Sequence, residues 1–100
     1  MIVRDGDRLQ VSGPLTLDTA KTLYEAGVHL IGRDSLVVDM SGVEAVDSCA
    51  VSLMLNWLRV AQRNNAHLVF AHVPPNLLSL ARLYGVAEML PLSVDVSLQS

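Results

Sequence analysis

Charge is scarce in this chain. Charged residues make up 17% and hydrophobic residues 51%, against about 25% and roughly 45–50% in ordinary soluble domains. A domain of 100 residues has little interior relative to its surface, so part of that apolar excess must face outward, where a partner covers it. Cysteine is nearly absent. With Cys49 alone there is no internal disulfide, which fits a reducing compartment. The seven Lys and Arg are scattered rather than run together, and the net charge of −3 offers nucleic acid or anionic lipid no electrostatic footprint. No apolar stretch approaches the ~18 residues of a membrane span. Arg4, Asp5, Asp7 and Arg8 interrupt the beginning before a signal sequence can form, so a cytoplasmic chain is expected.

Catalytic signals are missing too. There is no P-loop, no Gly-rich dinucleotide fingerprint and no zinc spacing, so neither a cofactor nor a metal is expected. His67 and His72 bracket one expected strand and, five apart, point to opposite faces. Cys49 has no evident His–Asp set to make it a nucleophile. Asp39 and Asp47 read more simply as turn and cap residues than as a catalytic pair. The expectation is a protein that is not an enzyme.

What is present alternates. Ile2–Arg4 and Arg8–Ser12 read as two strands joined across Gly6-Asp7, with a break at Gly13-Pro14. From Leu17 to Ile31 the spacing is helical: Leu17, Ala20, Leu23, Tyr24, Ala26 and Leu30 share one broad face, with Thr16 as N-cap and Gly32 as the stop. Ser35–Met40 is a doubly buried strand, followed by a Ser41-Gly42 turn. Val43–Val46 leads to Asp47-Ser48 and a long helix ending at Asn64-Asn65. His67–Val73 is the next strand. Pro75 stands in the first turn of a third helix, which ends at Tyr84-Gly85. The order β-β-α-β-α-β-α predicts an α/β fold: a small, mixed, partly parallel sheet flanked by helices, in a single domain over 1–100 with an irregular tail from about 92.

The most informative segment runs from Val37 to Leu55. At its centre, Asp39-Met40-Ser41, Val43 and Val46-Asp47-Ser48 lie in the order Asp-[Leu/Met]-Ser-X-Val-X-X-[Ile/Val]-Asp-Ser/Thr. This pattern resembles the STAS domain, the fold of anti-sigma-factor antagonists and of regulatory domains on transporters. Leu80–Val86 with Leu90-Pro91 looks like the STAS subunits of Mla-type phospholipid-transport ABC transporters. That resemblance implies a non-catalytic regulatory subunit, cytoplasmic and peripheral to the inner membrane. It would bind and stabilise or activate the ATPase subunit, beside a membrane permease, in maintaining outer-membrane lipid asymmetry, with no insertion of its own. The alternative it implies is an anti-sigma-factor antagonist switched by phosphorylation of Ser48. Switchable members follow the Asp-Ser pair with a glycine-containing run, and Cys49-Ala50-Val51 departs from it.

Ser48 sits where the free N–H groups of a first helical turn gather, and its hydroxyl is expected to accept one of them. In the helix beyond, Val51, Met54, Leu55, Leu58 and Ala61 form the face that would cover a sheet. Leu53, Trp57 and Val60 widen the apolar arc to roughly twice the ~100° needed. Two readings stay open. Either Trp57 packs on a neighbouring helix, or it joins Leu53 and Cys49 in a partner surface around Ser48, as a typical hot-spot residue. Tyr24 and Tyr84, aromatics with polar tips near helix ends, admit the same two readings. The residues expected to touch a partner are Asp47, Ser48, Cys49, Ser52, Trp57, Tyr24 and Tyr84.

Overall fold

A computed structural model describes residues 1–92. Its strands are β1 (Ile2–Asp5), β2 (Arg8–Leu15), β3 (Leu36–Val46) and β4 (Leu68–Ala71), and its helices α1 (Leu17–Leu30), α2 (Ser48–Arg63) and α3 (Pro75–Leu83). A 3-10 turn follows at Ala87–Met89. The sheet order is β1-β2-β3-β4. Only the first pair is antiparallel; the other two are parallel, as helical crossovers require. The element order and the mixed sheet are those expected. The tail at 93–100 lies outside the described residues, while Leu92 makes a parallel bridge to Phe70.

One face of the sheet carries the core. Leu9, Val11, Leu36, Val38, Met40, Leu68 and Phe70 are all buried there, at alternating positions of their strands. Two expected breaks are not breaks. β2 runs through Gly13-Pro14, and β3 runs through Ser41-Gly42. Register explains the mistake. From Gln10↔Asp39 to Ser12↔Gly42, and again from Gly13↔Val43 to Leu15↔Val46, β2 advances two residues while β3 advances three. Turn-like residues therefore mark bulges inside paired strands. Gly42 is required there, since a Cβ would lie 2.9 Å from Ser12 Cβ and 3.2 Å from the Val11 carbonyl oxygen. β4 is shorter than expected because His72, at φ 57, turns the chain out of extended geometry after Ala71.

The helices correct two further expectations. Leu17 is 74% exposed. The inner stripe of α1 is Leu23 and Gly27, continued by the buried Ile31, and Leu17 stands about 120° from Leu23 around a helix of 3.6 residues per turn. Trp57 is 0% exposed, so it is no part of any surface. The wide apolar arc of α2 has two jobs: one side covers the sheet, and the other meets α1 along a seam where Gly27 lies against the Trp57 ring. The absence of a side chain at Gly27 is what lets the helices approach. The indole Nε1 is buried there and has no hydrogen-bond partner among the described residues.

Candidate partner-binding surface

Asp47 organises the end of the molecule where α1 and α2 begin. Its Oδ1 accepts from Cys49 N at 2.8 Å and its Oδ2 from Leu17 N at 3.0 Å, so one carboxylate caps two helices. Negative charge at two N-termini is favourable. The start of α1 is closed further by Thr19 Oγ1, which accepts from Thr16 N at 3.0 Å. Ser48 is thus not the cap. It is the first helical residue, exposed, and its hydroxyl makes no hydrogen bond to the described residues. Asp47→Ala removes both acceptors and is expected to cost about 2 kcal/mol, about 1 per cap. Asp47→Asn, keeping one acceptor oxygen, should fall between. Urea unfolding of the three proteins measures this, and equal stability of Asp47→Ala and wild type contradicts the double cap.

Beside this junction lies an open groove of about 350 Å³. The first two turns of α2 supply Ser48, Cys49, Val51, Ser52 and Leu55, which share one face by their three- and four-residue spacing. The corner after α3 supplies Tyr84 and Val86. Gly85, at φ 72, makes that corner: past the end of α3 it reverses the chain, and Val86 N then donates to Ala81 O at 2.9 Å. No charged side chain lines the groove. Val51, Leu55 and Val86 give it aliphatic wall, and two serines, the Cys49 thiol and a tyrosine at 55% exposure give the rest.

Of the expected contact residues, the structure brings together Ser48, Cys49, Ser52 and Tyr84, with Asp47 fixing the turn beneath. Tyr24 is half-buried against the core and does not line the groove. Trp57 is inside. Sequence reasoning missed Leu55 and Val86 on the groove, and the exposure of Leu17 at the start of α1 and Leu83 at the end of α3, 74% and 76%. For Leu17 the angular offset from Leu23 was a usable signal. Burial and the adjacent Asp47 carboxylate push the Cys49 thiol above its ordinary value. A raised value keeps the thiol protonated near neutrality.

On the opposite face of the sheet, Asp39 Oδ2 meets Arg8 Nη1 at 3.0 Å and Oδ1 accepts from Ser41 N at 3.0 Å. Burial pushes the Asp39 carboxyl up, but hydrogen bonding from Ser41 and the positive charges of His72 and Arg8 outweigh it, and the group ends below 3.8. A lowered folded value stabilises the protein fully above the unfolded value and is lost as pH falls through the folded one. Asp39→Asn is therefore expected to flatten the loss of stability from about pH 5 to about pH 2. Denaturant titrations across that window check it; an acid slope unchanged by the substitution contradicts it.

A family model described as "Mlab, STAS domain" matches residues 2–92, and the chain belongs to that STAS family. It is 28% identical over 90 residues to the intermembrane phospholipid transport system binding protein MlaB of Escherichia coli (strain K12), covering 89% of this chain and 92% of the relative. Among solved structures, an anti-sigma factor antagonist from Mycobacterium paratuberculosis has a TM-score of 0.75 at 20% identity, covering 99% of this chain and 89% of that one. The anti-sigma factor antagonist SpoIIAA in its unphosphorylated form has a TM-score of 0.71 at 11% identity, covering 93% and 86%. At such identities these two likenesses establish the shared fold.

Proposed function

We propose that this chain is the STAS subunit of a phospholipid-transport system, where it binds the ATPase subunit through the groove at the start of α2. The reading has it non-catalytic, attached from the cytoplasm and peripheral to the inner membrane through its partner. One observation carries the choice of surface: an open, uncharged groove lined by Ser48, Cys49, Val51, Ser52, Leu55, Tyr84 and Val86, at the end where two helices are capped by one residue. Support for the system comes from the name of the Escherichia coli relative and from 92% coverage of its length. No helix among the described residues is long and apolar enough to cross a membrane, which agrees with peripheral attachment. A ligand that binds only the competent form of an ATPase shifts the population toward that form, so binding alone suffices for stabilisation or activation. The test is co-expression with the ATPase subunit of the same system: a stoichiometric complex is expected, and separate elution overturns the reading.

A second reading, a phosphorylation-switched antagonist of an anti-sigma factor, is favoured by one feature, the exposed and unbonded hydroxyl of Ser48. A phosphate there adds roughly −1.5 to −2 charge to the groove. Incubation with a serine kinase and ATP distinguishes it, by one added phosphate on Ser48.

A further inference from the structure

The edge strand β1 holds its free backbone groups in phase for another strand. Met1 N donates to Ser12 O at 2.7 Å, and Met1 O accepts from Ser12 N at 2.8 Å. Antiparallel pairs alternate, so by register Val3 with Gln10 and Asp5 with Arg8 exchange bonds in the same way. Ile2 and Arg4 therefore turn their N–H and C=O groups away from β2, to the outside of the sheet. The side chains alternate as well. Ile2, paired with buried Val11, points to the helical face. There it lines a hollow of about 370 Å³ with Thr19, Thr22, Leu23 and Ala26 of α1, which leaves room beside the edge. Val3, paired with Gln10, lies on the open face and is 44% exposed. The opposite edge is different: β4 is met by Pro91, whose carbonyl oxygen accepts from Phe70 N at 2.8 Å, and by Leu92.

We infer that β1 pairs with β1 of a second copy, antiparallel, about a two-fold axis at Val3. Register decides the axis. Only outward groups can bond, so Ile2 faces Ile2, Arg4 faces Arg4, or Ile2 faces Arg4 of the second copy. The first arrangement makes a single bonded pair, and the second sets like charges opposite each other. The third makes two bonded pairs. Between them it brings both Val3 side chains together at a non-hydrogen-bonded position, where Cα atoms stand about 4.5 Å apart. Each copy thus covers an exposed valine of the other. A two-fold joins two four-stranded sheets into one and closes this edge, so the pairing does not propagate. β1 packs on β2 and α1, whereas the groove belongs to α2 and the corner after α3. A dimer therefore keeps both grooves open, and the inference stands apart from the proposed function.

The experiment is sedimentation equilibrium of the full chain from about 10 μM to about 1 mM. An edge of four residues predicts a weak monomer–dimer equilibrium with no larger species. Val3→Lys sets two ammonium groups across the axis and should leave a monomer at every concentration, with an unchanged melting temperature at this exposed site. In a Cys49→Ser background, Val3→Cys should form an interchain disulfide on mild copper–phenanthroline oxidation, because paired Cβ atoms stand about 4.5–5.5 Å apart. Gln10→Cys, one strand inward on the same face, should not. A monomer throughout without cross-linking, a dimer that Val3→Lys leaves intact, or open-ended growth overturns the inference. Protection of the Ile2 and Arg4 amides from hydrogen exchange in a monomer identifies another segment of the same chain on the edge, and overturns it too. Protection that appears only with the purified ATPase subunit identifies a partner strand, with the same consequence.

Discussion

Gly27→Ala is expected to destabilise the protein by about 2–3 kcal/mol, although alanine is the better helix former by about 1 kcal/mol. The added Cβ would land on Trp57 Nε1, 2.6 Å from Cε2 and 2.8 Å from Cδ1. The indole is wholly buried and the core around it is close-packed, so the helices must separate. For a domain of this size the loss corresponds to roughly 10–20 °C in melting temperature. The cause is separable from general intolerance. Trp57→Leu in the Gly27→Ala background should recover part of the loss, a coupling of at least about 1 kcal/mol in the double-mutant cycle. Trp57→Ala alone opens a cavity and is expected to cost about 3–5 kcal/mol. Trp57→Phe should cost far less, because it keeps most of the ring and removes the orphan indole N–H, whose burial costs about 1–3 kcal/mol. Thermal melts of the set decide it, and additive effects at positions 27 and 57 contradict the seam.

That seam shows where sequence reading stops. Periodicity made the apolar width of α2 visible but not its cause. A residue on a wide arc faces either a second helix or the outside, and only the partner position distinguishes them. A mid-helix glycine such as Gly27 was the available hint of close helix approach, and it stayed silent because a helix interior tolerates one glycine at modest cost. The alternation of strands and helices was legible because buried runs such as Leu36–Met40 and Leu68–Ala71 each carry their own signal. Gly13-Pro14 and Ser41-Gly42 misled because bulges and turns use the same residues, and which one forms depends on the neighbouring strand. At the candidate site, the Asp47-Ser48 helix start was readable from local chemistry. The roles within it were not, because the second bond of Asp47, to Leu17 N, joins segments thirty residues apart. Tyr84 reached the groove and Tyr24 did not, for the same nonlocal reason.

The central claim is that the groove at the start of α2 is where a partner docks. Ser52 is its most informative position. The side chain is exposed and lines the groove from the second turn of α2, so Ser52→Arg should leave the isolated fold within about 0.5 kcal/mol of wild type. In a complex the new guanidinium would be trapped among Val51, Leu55 and Val86 without a counter-charge. Burial of an unpaired charge costs several kcal/mol, and the expected loss of affinity is about 100-fold or more. Gln62→Arg, on the exposed side of the same helix near its other end, is the matched control. It adds the same group to the same element, outside the groove. The measurement is the dissociation constant for the ATPase subunit with wild type, Ser52→Arg and Gln62→Arg, alongside their melting temperatures. Loss of binding by Ser52→Arg alone, with all three proteins equally stable, is the predicted result; equal affinity of Ser52→Arg and wild type would contradict the claim.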